Sequence, residues 1–331
     1  MNQNSQSLGQ PPQQWDVVIL GGGVAGLSAA LMLGRAGRRT LVVDEGNPRN
    51  RFASHMHGVL GNEGTPPFEL LSRGRGEVAK YGVEFAEGSA AAVRDAEDGL
   101  AIRLADGAEL HARALVVATG MTDELAPIPG LAERWGKTVL HCPYCHGWEV
   151  RGQRLGVLAI SAMGVHQAQL VRQWSETVTL FTNGLDILDE ATIARLRSRN
   201  VEIVTEPVVE IRGDGDAMSG VATANGSVVP IGALFTAGVA RPHDDFLEDL
   251  GLERTDNPMG NFLQVDPFGK TSHGRIWAVG NVANPGATVP VSMGTGSMAG
   301  AMANAVLMTE DFDRAEAASI DADSETVGAQ S

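Results

Sequence analysis

The chain opens with a short apolar run that ends in three consecutive glycines. Residues 15–20 (WDVVIL) are rich in β-branched side chains and predict a strand. Residues 24–35 are rich in alanine and leucine and predict a helix, and residues 40–43 predict a second strand. Strand, helix and strand in this order predict a βαβ unit within a parallel sheet.

A second unit of the same kind follows near residue 160. Residues 155–160 predict a strand, residues 165–174 a helix and residues 177–181 the next strand. Two such units predict an α/β fold with two Rossmann-like nucleotide-binding domains. The length of 331 residues agrees with this, because a domain has roughly 150 residues on average.

The remaining pattern predicts fewer elements. Residues 115–117 and 276–279 predict strands, and the small residues of 297–307 predict a helix near the end of the chain. The acidic stretch from Glu310 onward is expected to fray, and residues 1–14 are expected to form a disordered tail. This tail has no basic residue and no apolar run, so it is not a signal peptide, and a cytoplasmic location is expected.

The charge balance excludes some partners. The chain has 25 basic and 40 acidic residues, which gives a formal net charge of −15. Nucleic acids and anionic lipids attract basic surfaces, so neither is expected to bind. The longest uncharged run, residues 281–309, is interrupted by prolines and glycines, which argues against a membrane span.

The turn after the first predicted strand carries a dinucleotide-binding motif. Gly21, Gly23 and Gly26 form G-x-G-x-x-G between a strand and a helix, which is the context that this motif needs. The first glycine permits a tight turn, the second lets a pyrophosphate approach the backbone, and the third lets helix and strand pack closely. Asp44 follows the second strand and can accept a hydrogen bond from a ribose hydroxyl, with Glu45 as the alternative. FAD and NAD share this motif.

The only two cysteines, Cys142 and Cys145, form a C-x-x-C motif. Such a pair is a redox centre, half of a metal site or two inert thiols. Zinc needs four ligands, and adding His141 and His146 would pack all four into six residues with strain, so no metal is expected. Redox chemistry fits best. Either histidine can take the thiol proton near neutral pH, and Glu149 can orient His146.

These motifs together resemble the low-molecular-weight thioredoxin reductases. The resemblance rests on four features in a fixed order: the glycine-rich βαβ unit, an Ala118-Thr119-Gly120 turn, the C-x-x-C motif and a late Gly280-Asn281 turn. It covers about residues 15–308, nearly the whole chain. It implies that the protein is a homodimer.

The resemblance also implies the domain organisation. Residues 15–121 and 239–331 are expected to form one discontinuous FAD-binding domain. Residues 122–238 are expected to form an inserted domain that resembles an NADPH domain and carries the dithiol. The electron path then runs between the dithiol and the flavin.

Individual residues receive roles from the same resemblance. Cys145 is expected to face the flavin ring, and Cys142 to meet the substrate. The backbone of Val289 is expected to contact the flavin, and the following helix to direct its positive end there. Asn281 stands where the family has an aspartate. The expected FAD-binding residues are Gly21, Gly23, Ala25, Gly26, Asp44, Glu45, Asn50, Arg51, His57, Thr119, Gly120, Gly280, Asn281, Thr288 and Val289.

Three departures from the family change the expected electron partner. Residues 159–164 (AISAMG) lack the first two glycines of an NADPH motif, and a β-carbon there crowds the pyrophosphate. Residues 181–184 (FTNG) offer no positive charge to a 2′-phosphate. His146 replaces the acid that follows the second cysteine. NADPH is therefore not expected to be the electron partner.

With these departures, the CPYCHGWE segment resembles the FAD-dependent dithiol oxidases that close the disulfides of gliotoxin, holomycin and romidepsin. This resemblance implies a small-molecule dithiol as substrate, O2 as acceptor and H2O2 as product. One alternative is a thioredoxin-disulfide reductase that takes electrons from NADPH or from a ferredoxin or flavodoxin. Another is a flavin-binding redox sensor that signals through its dithiol.

Overall fold

The computed structural model describes residues 14–328, with side chains described as far as residue 320. The helices assigned in this range are α1 (Val24–Arg35), α2 (Pro67–Ala79), α3 (Pro143–His146), α4 (Met163–Val171), α5 (Glu190–Arg197) and α6 (Val289–Gly328). Short 3₁₀ turns occupy Ala132–Arg134, Asp245–Leu250 and Gly280–Val282. The strands are β1 (Trp15–Leu20), β2 (Thr40–Asp44), β3 (Glu84–Glu87), β4 (Ala90–Ala96), β5 (Gly99–Leu104), β6 (Glu109–Val117), β7 (Met121–Glu124), β8 (Val139–Leu140), β9 (Leu155–Leu158), β10 (Val178–Phe181), β11 (Val201–Val204), β12 (Val208–Arg212), β13 (Gly220–Thr223), β14 (Val228–Val229), β15 (Ala233–Phe235), β16 (Val239–Pro242), β17 (Arg254–Asn257), β18 (Gly260–Leu263) and β19 (Ile276–Ala278).

The first sheet joins strands from both ends of the chain. Its strands lie in the order β3-β2-β1-β6-β5-β4, and β19 pairs with the last residues of β6. β1 runs parallel to β2 and β6, and β19 runs parallel to β6 with Ile276 opposite Leu115. This sheet and the helices on it are called the first lobe below. Early and late segments of the chain thus share one sheet, and the middle of the chain lies between them in sequence.

The second sheet belongs entirely to the middle of the chain. Its order is β11-β10-β9-β15-β8, and every pairing is parallel. Together with α3, α4, α5 and the small β12-β13-β14 sheet it forms the inserted lobe. The predicted α/β fold with two Rossmann-like sheets is confirmed.

The chain enters and leaves the inserted lobe through a two-stranded antiparallel ribbon. β7 leads in and β16 leads out, with Met121 opposite Pro242 and Glu124 opposite Val239. The predicted domain boundaries, after residues 121 and 238, lie at these strands. The carboxyl ends of the parallel strands in both lobes are where α/β folds bind ligands.

Small residues bring α1 and α6 together over the first sheet. A β-carbon on Gly300 would lie 2.6 Å from the backbone oxygen of Ala29, and one on Gly296 would overlap the backbone of Ala25. The buried alanines and leucines of α1 fill the space between α6 and the sheet. This close approach places the first residues of both helices at one edge of the sheet.

Two predicted boundaries need correction. α4 runs from Met163 to Val171, earlier at both ends than the predicted 165–174. The helix predicted at 297–307 begins at Val289 and continues to Gly328, so the acidic stretch expected to fray is helical. The start of the acidic stretch is held by the buried Arg113, which lies 2.7 Å from Asp311.

The predicted N-terminal tail, residues 1–14, lies outside the described residues except for Gln14. None of the helices between residues 14 and 328 has the length and apolar character needed to cross a bilayer.

Candidate active site

One large cavity opens where the two lobes meet. Its volume is about 720 Å³, within the range of roughly 300–1,000 Å³ that is usual for ligand sites. Most of the residues predicted for the site line it, together with both cysteines and His146. The predicted residues on its wall are Gly21, Gly23, Ala25, Asp44, Asn50, His57, Thr119, Gly120, Cys142, Cys145, His146, Gly280, Asn281, Thr288 and Val289.

At one end of the cavity, each glycine of the G-x-G-x-x-G motif has its own structural reason. Gly21 has φ +102°, and a β-carbon there would overlap the backbone of Ala118. Gly26 does not line the cavity, and a β-carbon there would overlap the carbonyl oxygen of Gly21. Gly23 has open space where a β-carbon would be, on the cavity wall at the start of α1. The turn therefore leaves room for a phosphate at the positive end of a helix.

The acid at the end of β2 is held from two sides. Asp44 Oδ1 accepts a hydrogen bond from the Gly22 N–H at 2.8 Å, and Arg75 on α2 donates to Oδ2. Glu45, the alternative to Asp44, does not line the cavity. Sequence reasoning missed Arg75, because no motif marks a lone arginine within a helix.

Beside the glycine turn, two further glycines and an asparagine shape the wall. Gly120 and Gly280 have φ of +72° and +70°, which favours glycine at both turns. The Asn281 amide donates to the backbone oxygens of Asn284 at 3.1 Å and Ala287 at 3.0 Å. An aspartate could not donate these bonds, so asparagine at this position also holds its own loop in shape.

The two cysteines form a disulfide at the start of α3, in the inserted lobe. Cys142 is the N-cap residue, Pro143 occupies the first helical position, and the Cys142 and Cys145 Cα atoms lie 5.2 Å apart. The Cys145 N–H lies 3.2 Å from Cys142 Sγ and donates to it. On reduction this bond favours a thiolate on Cys142, because a hydrogen bond to the charged form stabilises it.

The histidines on either side of the disulfide differ in their surroundings. Arg49 Nη2 lies 3.4 Å from His141 Nε2, and a guanidinium can only donate, so Nε2 accepts. Burial, helped by the Arg49 charge, lowers the pKa of His141. Burial also lowers the pKa of His146, and the Glu149 carboxylate opposes that effect. Both imidazoles are therefore neutral near pH 7.

Arg49 joins the loop between β2 and α2 to the ribbon between the lobes. It binds Asp123 through two hydrogen bonds of 2.7 Å each and donates to the Pro285 carbonyl at 3.1 Å. Arg51, which was predicted for the site, does not line the cavity, and its guanidinium stacks 4.3 Å from the Phe52 ring centre. Of the two arginines in this loop, Arg49 lines the cavity.

Other cavity residues carried no signal in the sequence. Trp135 and His243 both line the cavity, and His243 Nε2 lies 2.8 Å from the Thr122 hydroxyl. Their nearest neighbours in the sequence form no motif. Only the folded chain brings them to this wall.

The loop after β9 keeps one of the three glycines of a nucleotide motif. A β-carbon on Gly164 would lie 2.5 Å from the Ala159 β-carbon, so this glycine still serves close packing of helix on strand. Ala159 and Ser161 occupy the positions of the other two. After β10, Asn183 Oδ1 accepts a hydrogen bond from the Val208 N–H at 2.8 Å, which joins this loop to the start of β12.

Histidine, cysteine and carboxylate side chains are the usual protein ligands of metal ions. In the part of the chain that the structure describes, no three of them are grouped closely enough to hold an ion.

A disulfide beside a dinucleotide cavity, carried on a second dinucleotide-type sheet, defines the class of flavin-dependent disulfide oxidoreductases. The family model for pyridine nucleotide-disulphide oxidoreductases matches residues 15–303. The chain belongs to this family. It is a flavin-dependent oxidoreductase that acts on sulfur groups.

Individual relatives agree over most of the chain. A protein named thioredoxin reductase tcpT, from Claviceps purpurea, is 32% identical over 312 residues, covering 89% of this chain and 95% of its own. Thioredoxin reductase sirT from Leptosphaeria maculans is 31% identical, covering 88% and 94%. The crystal structure of HlmI superposes with a TM-score of 0.88 at 43% identity, covering 93% of this chain and 96% of that one.

The cavity fits FAD, the cofactor of this family. The open space at Gly23 and the first amides of α1 suit a pyrophosphate, and Asp44 lies where a ribose would follow. Val289, the first residue of the long helix α6, lies on the wall that also holds Cys145. The cavity thus joins a phosphate cradle to a disulfide.

Proposed function

We propose that the protein is an FAD-dependent dithiol oxidase, which closes a disulfide in a small-molecule dithiol and uses O2 as acceptor. One observation carries this proposal. Ala159 and Ser161 put side chains where the nucleotide loop of a reductase needs glycine, while the FAD cavity and the Cys142–Cys145 disulfide are intact. In a protein that holds a flavin and a disulfide but lacks the glycines of a pyridine-nucleotide loop, a dithiol substrate is the electron source that we propose.

The chain's own residues would hold the flavin at three places. The α1 amino terminus beside Gly23 binds the pyrophosphate, and Asp44, fixed by Arg75, binds the ribose. The amino terminus of α6 at Val289 presents its positive end to the flavin. The chemistry that bound FAD supplies is acceptance of an electron pair from the dithiol and its delivery to O2, which gives H2O2.

The substrate steps are two thiol–disulfide exchanges. A substrate thiolate attacks Cys142 Sγ, the bond between the cysteines breaks, and Cys145 leaves as a thiolate. The second substrate thiolate attacks the substrate sulfur of the mixed disulfide and displaces Cys142. The substrate has then lost two protons and two electrons, and the electrons reside on the two cysteines. Because both substrate thiols belong to one molecule, the second step is intramolecular and fast.

We assign the first proton transfer to His146. The lone pair of His141 is occupied by Arg49, whereas no hydrogen bond engages the ring of His146 within the described residues. Burial lowers the pKa of His146, so the ring is neutral near pH 7 and free to accept a proton.

The proposal is tested by supplying the purified holoenzyme with dithiothreitol and measuring O2 uptake and H2O2 formation. We expect consumption of O2 with dithiol and no oxidation of NADPH. Cys145→Ser should abolish turnover while the visible flavin spectrum remains. Rapid NADPH oxidation, or normal turnover by the variant, would refute the assignment.

A thioredoxin-disulfide reductase is the second candidate, because the curated relatives bear that name. This activity needs a donor, either NADPH or a ferredoxin or flavodoxin. Anaerobic stopped-flow reduction of the flavin by NADPH, by each protein donor and by dithiothreitol separates the two functions. If the protein is an oxidase, only the dithiol should reduce the flavin and bleach its visible absorbance.

We further propose a homodimer, which the family resemblance implies, and a cytoplasmic location, which the sequence leads us to expect. Light scattering on the eluting holoenzyme tests the dimer, since a mass near 34.7 kDa would show a monomer.

A further inference from the structure

One arginine in the loop between β2 and α2 bonds three distant parts of the chain. Arg49 donates to both carboxylate oxygens of Asp123 at 2.7 Å, and Asp123 lies on β7 of the ribbon with only 6% of its side chain exposed. Arg49 also donates to the Pro285 carbonyl at 3.1 Å, in the loop before α6. Its Nη2 lies 3.4 Å from His141 Nε2 in the inserted lobe. A single guanidinium thus joins the first lobe, the ribbon and the inserted lobe on the cavity wall.

The contact with Arg49 decides which nitrogen of His141 carries the proton. A guanidinium has donors only, so His141 Nε2 must present its lone pair, and the proton of the neutral ring sits on Nδ1. This Nδ1 is buried and has no partner within hydrogen-bond distance among the described residues, although the Thr236 backbone acts on the ring as a more distant acceptor. The opposite tautomer would point a donor at a donor.

The backbone of His141 is held from the other lobe. Gln167 on α4 donates its side-chain amide to the His141 carbonyl at 2.9 Å. His141 directly precedes Cys142, the residue that caps α3 and forms the disulfide. The ring of His141 is therefore fixed from the first lobe and its carbonyl from the inserted lobe, and a displacement of this residue displaces Cys142.

The loop that carries Arg49 makes a second close contact with the inserted lobe. A β-carbon on Gly136 would lie 2.6 Å from the Phe52 β-carbon and 2.8 Å from the Phe52 backbone oxygen. Gly136 comes just before β8, and His141 comes just after it. The loop between β2 and α2 thus meets the inserted lobe on both sides of this strand.

We infer that Arg49 is a positioning residue of the dithiol site: it holds the His141 ring, and with it the turn that begins at Cys142, against the first lobe. It also fixes the tautomer in which His141 cannot act as a base from Nε2. The role does not depend on which acceptor takes the electrons, so it stands apart from the proposed oxidase function.

The inference predicts a specific loss when the contact is removed. The disulfide and the flavin-binding wall belong to different lobes, so a displacement of Cys142 changes the distance that electron transfer must cross. A misplacement of about 1 Å at a reacting group costs up to about 100-fold in rate. We therefore expect flavin reduction by a dithiol to fall by about 10-fold or more.

The variants are chosen so that the fold survives. Arg49→Met by itself would leave the buried Asp123 carboxylate unpaired. It is therefore made together with Asp123→Asn, and the reference is Asp123→Asn alone, in which Arg49 still reaches His141. His141→Phe is a second route to the same loss, because it removes the acceptor and leaves the Arg49–Asp123 pair in place.

The first readout is the tautomer of His141, measured by nitrogen NMR of the histidine side chains in the oxidised holoenzyme. The His141 signal is the one lost in His141→Phe. We expect protonation at Nδ1 in the wild type and the reference, and a shift towards protonation at Nε2 once Arg49 is methionine. A merely structural role of Arg49 would leave the tautomer unchanged.

The second readout is anaerobic stopped-flow reduction of the flavin by saturating dithiothreitol. If Arg49 acts through His141, combining Arg49→Met with His141→Phe should be no slower than either change alone in the Asp123→Asn background. Arg241→Met is the matched control, because Arg241 pairs at 2.7 Å with Glu124, the neighbour of Asp123 on β7, and does not line the cavity.

Three results would overturn the inference: protonation of His141 at Nε2 in the wild type, losses that multiply in the combined variant, or a loss no larger than in Arg241→Met. If dithiothreitol fails to reduce the wild-type flavin, the oxidase proposal is refuted instead. The histidine spectra then still decide whether Arg49 holds His141.

Discussion

Substitution of Gly23 by alanine should weaken FAD binding while leaving the stability of the fold almost unchanged. Gly23 has φ −71° and ψ −179°, which any residue adopts, and no atom lies within 4 Å of an added β-carbon. The cost to folding should stay below about 1 kcal/mol, the scale of an N-cap change. The methyl group would instead occupy the space where the pyrophosphate meets the α1 amides. Loss of one hydrogen bond to a charged group costs about 1.5–3 kcal/mol, which is about a 10- to 100-fold loss of FAD affinity.

The assay is titration of the apoprotein with FAD, followed by flavin fluorescence, beside urea unfolding of the same apoprotein. Two other glycines give matched controls. Gly26→Ala overlaps the Gly21 carbonyl, so it should lower the unfolding free energy by about 1–3 kcal/mol. Gly76→Ala, on the exposed face of α2 with open space around it, should stabilise by about 0.5–1 kcal/mol and leave affinity unchanged. If Gly23→Ala binds FAD as tightly as the wild type, the phosphate does not lie at this turn.

Four further outcomes are expected. His146→Gln should lower the rate of dithiol oxidation at pH 7 by about 30-fold or more, because a thiol of pKa about 8.5 is only about 3% ionised at that pH. The difference from the wild type should shrink towards pH 9.5, where the thiol ionises without a base. A loss of kcat/KM that does not depend on pH would argue against His146 as a base. As the pH is lowered, wild-type activity should fall only once the pH is below the ordinary range of histidine pKa values, because burial lowers the pKa of His146. Arg113→Met should lower the unfolding free energy, measured by urea denaturation, by about 2–3 kcal/mol. The reason is that Asp311 and Glu310 lose their buried partner, although Arg275 remains 2.8 Å from Glu310. Gly164→Ala should destabilise by about 1–3 kcal/mol in the same assay without weakening FAD binding, because the clash lies within the inserted lobe.

Sequence patterns predicted most of the fold, because each strand or helix depends on residues that are close together in the chain. The β-branched run of β1, its three glycines and the apolar α1 follow one another within about twenty residues, so propensity and periodicity agree. The end of the chain was predicted less well. The acidic residues after Glu310 look unsuited to order, yet Arg38 and Arg113 lie 2.7 Å from Asp311 and hold it against the first lobe.

The site residues also divide into those that a sequence motif marks and those that no motif marks. The cysteines, the glycine turn and His146 carry their chemistry in a recognisable spacing. Arg75 and Arg49 do not, because they reach Asp44 and Asp123 across 31 and 74 residues of chain. A side chain that acts through a partner so distant leaves no periodic or motif signal.

By itself, the sequence determined the two βαβ units, the glycine-rich turn after β1, the dithiol and the side chains that replace glycine at Ala159 and Ser161. Each of these depends on residue types at fixed short spacings, which dictate backbone conformation and chemistry locally. The tertiary structure alone decided that Glu149 meets His57, that Arg49 occupies the lone pair of His141, and that α6 reaches the cavity at Val289. These contacts join segments from different lobes, so they exist only once the sheets have formed and their loops converge.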